Sequence, residues 1–135
     1  MTLAAALLLM QAAAPAAAPV VQPASPRTLT GRFMCDATVY EVQVTAALLG
    51  GAGVVLDRAT AGRAVDAGSL AEARRMVARL SDVQSLDVRC RADGGGELSI
   101  YGTQAAAGSA PRRARLRGML RDGRISAITV AVEQR

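Results

Sequence analysis

Histidine, lysine, asparagine and tryptophan are all absent from these 135 residues. Without histidine there is no Ser-His-Asp or Cys-His pair and no imidazole metal ligand. Without lysine there is neither a Schiff-base amine nor a Ser-Lys dyad. Aromatic content is 2%, so Phe33, Tyr40 and Tyr101 are the whole supply of rings for stacking on a sugar or a base. The two cysteines, Cys35 and Cys90, are not a CxxC redox pair, and two thiols without histidine fall short of a structural zinc site. We therefore expect no metal and no cofactor. Carboxylates, tyrosines and arginines remain for catalysis. Asp36 and Glu41 are near enough in sequence to suggest a pair, but glycoside hydrolysis needs two carboxylates at defined separation in a cleft. No such cleft is marked here, and the chain reads as non-enzymatic.

A phosphate loop is excluded in the same way. Gly50, Gly51 and Gly53 are not followed by lysine and lack the third glycine of the dinucleotide fingerprint, so they read as turn glycines.

Positive charge is concentrated in one place. Between residues 111 and 124 lie Arg112, Arg113, Arg115, Arg117, Arg121 and Arg124 against Asp122. Six arginines less one aspartate is +5, the formal charge of the whole chain. Asp122-Gly123 sits between two strand-like runs and predicts a hairpin. A two-residue loop would set Arg121 opposite Arg124 and mix Arg113, Arg115 and Arg117 with Ile128, Val130 and Val132 on one face. A three-residue loop with Gly123 in a bulge pairs Leu116 with Ile128 and Ala114 with Val130. It leaves Arg113, Arg115 and Arg117 on the other face beside Ala131, Thr129 and Ala127. Because a one-residue slip reverses the faces, the bulged loop is expected. The three arginines are the candidate binding residues, as a docking strip for an anionic partner. The competing reading is a solvated ribbon whose charges deter edge pairing.

Residues 2–10 form a short apolar run followed by small residues, the length of a secretory signal and well short of the ~20 residues that span a bilayer. The expected organisation is a signal peptide over 1–16, an Ala/Pro-rich linker over 17–27 and one domain over 28–135. No membrane span remains after cleavage. Cys35 and Cys90 fall on the inward parity of their strands, and in an exported protein that predicts one disulfide.

Residues 28–47 read as one long strand whose inward parity switches near 36–39, which predicts a bulge or bend. Residues 54–58 return as a strand, with a further short strand at 63–66. A helix is expected over 69–80, with Ser69 and Glu72 as a capping box and a stripe of Leu70, Ala73, Met76, Val77 and Leu80. Strands over 83–92 and 97–104 form a second hairpin, with Leu98 and Ile100 inward and Ser99, Tyr101 and Thr103 outward. Residues 105–110 read as a small-residue loop.

The fold class is thus mainly β: an antiparallel β-sandwich of six to seven strands with one packed α-helix, α+β being the alternative. The expected protein is a small periplasmic or secreted binding domain that docks an envelope protein or anionic envelope component through Arg113, Arg115 and Arg117. One rival reading is strand addition to a secreted subunit, as in a chaperone or inhibitor. Another is a nucleic-acid-binding ribbon, which requires that the chain is not exported. For an exported chain nucleic acid is not an expected partner.

Overall fold

Strand β1 (Arg27–Cys35) runs into β2 (Thr38–Ala46) and then β3 (Val54–Ala61), making an antiparallel sheet in that order. Helix α1 (Ala67–Val77) follows. β4 (Asp82–Cys90), β5 (Gly96–Ala106), β6 (Ser109–Arg121) and β7 (Arg124–Val132) then form a second antiparallel sheet, also in chain order. The structure is a computed structural model that describes residues 27–46, 53–106 and 108–133. The expected signal and most of the expected linker, and the turn at Gly50 and Gly51, lie outside the described residues.

The sheets face each other across one core. Tyr40, Val42, Val44, Val54 and Leu56 come from the first sheet, and Val83, Val88, Leu98, Ile100, Leu116 and Leu120 from the second. Alternation does this: along β2 every second residue from Tyr40 to Ala46 is buried. Each large aliphatic side chain so buried contributes about 1.5–3 kcal/mol. Ala73, Val77 and Leu80 of the predicted helical stripe close the side between β3 and β7. On the opposite side β1 lies beside β4. Arg27 reaches Asp82 and donates to the Val83 carbonyl, Gly31 meets Leu86 and Val88, and Cys35 is bonded to Cys90. A constant offset of about 55 residues joins these contacts, so the two strands run in the same direction.

The predicted disulfide is present, with Cα atoms 5.7 Å apart. Its setting differs from expectation. Cys35 is half-buried and Cys90 exposed, because both end edge strands at one pole of the sandwich.

Several local readings are corrected. The expected bend in a single long strand is a hairpin: Cys35 pairs with Thr38 across Asp36-Ala37, whose φ angles are 46° and 66°. Two left-handed residues in a two-residue loop make a type I′ turn, the form that matches strand twist. The parity switch is simply the change of strand. Alanine is strained at such a φ, so Ala37→Gly should raise stability by about 0.5–1 kcal/mol, read as a higher thermal midpoint. An unchanged or lower midpoint would count against the turn.

The Asp122-Gly123 turn is also a two-residue loop, with Arg121 opposite Arg124 and φ of 48° and 69° at its two residues. The expected three-residue loop is therefore wrong. The register slips farther along, between Arg117 and Met119, where Ala127 adopts φ 50° as the extra residue of a bulge opposite Gly118. Beyond it Leu116 pairs with Val130 and Ala114 with Val132. The faces come out as polarity demands, but the bulge lies in β7 and not in the turn.

Ser69 does not cap α1. Asp66 is the N-cap and accepts from the Ser69 amide at 2.8 Å, whereas the Ser69 hydroxyl accepts from the Ile125 amide at 2.8 Å. Glu72 pairs with Arg75. The short strand expected at 63–66 is reduced to a bridge between Thr60 and Ala64. The expected loop over 105–110 is largely absorbed into the β5–β6 hairpin, where Ala106 pairs with Ser109.

Candidate functional site

Arg113, Arg115 and Arg117 share the outer face of the four-stranded sheet, as expected. Cross-strand registers place them in three rows. Ser85, Tyr101, Arg115 and Ala131 form the middle row; Asp87, Ser99, Arg117 and Thr129 lie on one side of it. Thr103 pairs with Arg113 on the other side, where the Glu133 amide donates to the Arg113 carbonyl at 2.9 Å. Arg113 therefore neighbours Glu133, and Ala127 is displaced from the strip by the bulge.

The three guanidinium groups are not equivalent. Arg117 donates to Glu97 Oε1 at 2.5 Å. Glu97 also lies 3.6 Å from Arg91, which is itself paired with Asp93. The Arg117 hydrogen bond holds the Glu97 carboxyl below the ordinary glutamate range, with burial opposing it. Arg91 does the same to Asp93. Arg113 is highly exposed and stands 3.9 Å from Glu133.

Arg115 differs from both. Its guanidinium carbon lies 5.0 Å from the Tyr101 ring centroid, a cation–π arrangement. Its Nη2 donates to Ser99 Oγ at 3.2 Å. No carboxylate lies within ion-pair distance of it among the described residues, and its buried Nε has no hydrogen-bond acceptor. Ser99, expected to face solvent, is on the predicted face but only 5% exposed, because this arginine layer covers it.

Beside this pair is a recess of about 290 Å³ lined by Tyr101, Arg113, Arg115, Ala131, Val132 and Glu133. A second, of about 170 Å³, lies among Arg91, Glu97, Arg117, Met119 and Thr129. The arrangement can hold a carboxylate over an aromatic-backed guanidinium. Small Ala131 and Thr129 leave the approach from β7 open.

Glu41, half of the imagined carboxylate pair, is instead held by Arg58 at 2.9 Å and Arg32 at 3.8 Å, while Asp36 occupies the β1–β2 turn. Among the described residues no three histidine, cysteine, aspartate or glutamate side chains converge as metal ligands. No helix among them is long and apolar enough to cross a membrane. The β6–β7 ribbon is built into the sheet: the Gly123 amide donates to the Ala61 carbonyl at 2.9 Å, and the Asp66 amide donates to the Gly123 carbonyl at 2.9 Å.

Sequence reasoning missed Tyr101, Ser99 and Glu97 as members of the site. Their outward parity was legible, but their placement beside the arginines depends on the β5–β6 register. No protein-family model, curated protein or solved structure matches this chain.

The depressed Glu97 carboxyl sets a pH dependence. A carboxyl whose pKa is lower when folded adds stability that is fully present above its unfolded pKa. That stability is lost as pH falls through the folded value. Glu97→Gln should therefore be less stable than the parent at pH 7, and the gap should close on acidification below about pH 4.3. Urea midpoints of the two proteins between pH 7 and pH 2.5 check this. A constant gap would contradict it.

Proposed function

We propose that this is a non-enzymatic binding domain of an oxidising compartment, periplasmic or external. It docks a carboxylate-bearing protein partner on the outer face of its four-stranded sheet, centred on Arg115 and Tyr101. The observation that carries the reading is the contrast among three aligned arginines. Arg113 and Arg117 stand beside carboxylates, whereas Arg115 is oriented by Tyr101 and Ser99 and has no carboxylate within ion-pair distance among the described residues, Glu97 acting on it only from farther away. A guanidinium held in place loses little entropy when a carboxylate arrives. The disulfide supports the compartment, since such bonds persist where thiols are not kept reduced.

The test uses a peptide of Glu-Pro-Pro repeats, which carries carboxylates but presents no unbroken row of amides along either side to a sheet edge. With no tryptophan in the chain, tyrosine fluorescence reports Tyr101 and Tyr40. Arg115→Gln should weaken binding at least tenfold, and Arg112→Gln much less. Affinity should also fall as salt shortens the screening length from about 30 Å at 0.01 M to about 8 Å at 0.15 M. Equal affinities for the two variants, or no response to salt, would refute the reading.

A further inference from the structure

Two sheets have four edges, and three of them are occupied. β1 and β4 lie against each other, tied by the disulfide and by the Arg27 bond to the Val83 carbonyl. The β3 edge is covered by α1, whose Arg74 donates to the Leu56 carbonyl at 2.9 Å and the Asp57 carbonyl at 3.1 Å. Helix α1 also packs against the fourth edge, β7, but among the described residues its one hydrogen bond to that strand's main chain is the Ser69 hydroxyl accepting from the Ile125 amide.

The rest of that edge follows from the ladder. In an antiparallel pair each residue turns its N–H and C=O to the same side, and successive residues alternate. The Glu133 amide points to Arg113 on β6, so those of Ala131 and Thr129 do as well. Ile128, Val130 and Val132 therefore direct their main-chain groups away from the sheet. Among the described residues nothing bonds to them. From Ile128 to Val132 β7 also lacks the usual deterrents, having neither charge nor proline; its bulge lies just before that stretch, at Ala127.

We propose that this edge accepts an extended segment of another protein as a fifth strand, and that the segment alternates apolar with acidic residues. Its apolar side chains continue the half-buried row of Ile128, Val130 and Val132. Its acidic side chains emerge on the outer face beside Thr129 and Ala131. Strands lie about 4.8 Å apart, so the added strand runs about 10 Å from β6. Across that gap glutamate and arginine side chains can meet above two small residues. Charge selects this occupant over a second copy of the chain, which would bring another Arg113, Arg115 and Arg117 and, on its β7, no acid. The proposal rests on the docking reading for its charge pattern and adds a main-chain component to it.

The test titrates the full chain with a nine-residue peptide alternating valine and glutamate, at concentrations where the peptide alone is monomeric. Saturation should slow amide exchange at Ile128, Val130 and Val132 at least tenfold. Methylating the peptide's valine nitrogens should weaken binding at least tenfold without touching the protein. Val130→Pro should do the same and fold normally, since it removes an outward amide from an edge strand. Equal binding of the methylated peptide, or unchanged exchange at saturation, would overturn the edge proposal; the docking reading would survive if Arg115→Gln still weakened the glutamate-proline peptide. Amides already slow in the protein alone would also overturn it, because the edge would then be covered by a second copy or by the chain's own remaining residues. Failure of both peptides to bind would remove both readings.

Discussion

Replacing Cys35 and Cys90 together by serine should lower the unfolding free energy by about 4 kcal/mol. The cross-link closes a loop of 55 residues, and the chain-entropy account gives that figure for its release in the unfolded ensemble. Packing adds little, because Cys90 is exposed and Cys35 only half-buried. The bond also holds one end of β1 against β4, where the two strands share no hydrogen-bonded ladder. Amide exchange should therefore accelerate most in β1, ahead of global unfolding. Denaturant unfolding of the double variant checks the magnitude; a loss under 1 kcal/mol would show that the contacts of Arg27 and Gly31 suffice to hold the two edges together.

Gly102→Ala should cost about 3 kcal/mol or prevent folding. Gly102 is buried in β5 opposite Val83, beside the bulge in β4. A Cβ there would overlap the Asp82 carbonyl oxygen and lie 3.1 Å from its carbon and 3.2 Å from Val83 Cα. These are main-chain atoms, which no rotamer change can move. Gly31 offers a contrast. Its Cβ would strike the Leu86 side chain, so Gly31→Ala should be the milder of the two. Thermal midpoints of both variants decide it, and the reverse order would contradict this account of the β4–β5 approach.

The sandwich was legible because its pattern is strong and local. Period-two burial along β2, the inward pair Leu98 and Ile100, and the helical stripe ending at Leu80 all appear where polarity puts them. The disulfide was legible from compartment and parity, although its exposed setting was not. The misses share a cause. Asp36-Ala37 turns the chain with alanine at a left-handed φ, and alanine carries no such signal. The same holds for Ala127, whose bulge corrects the register that was assigned to the Asp122-Gly123 turn. Ser69 had two possible duties, and the approach of β7 decided between them. As for the site, Arg113, Arg115 and Arg117 were found as a strip, but the difference among them was hidden. It arises from Glu97, Ser99 and Tyr101 on a neighbouring strand, and from Glu133 at the far end of the next.

Amide chemical-shift mapping of the full chain with the glutamate-proline peptide tests the central claim most directly. The account predicts perturbations centred on Ser99, Tyr101, Arg115 and Ala131, with Thr45, Val55 and Asp57 on the outer face of the other sheet unmoved. Shifts spread over unrelated arginines such as Arg79 and Arg58, or confined to the other sheet, would contradict it.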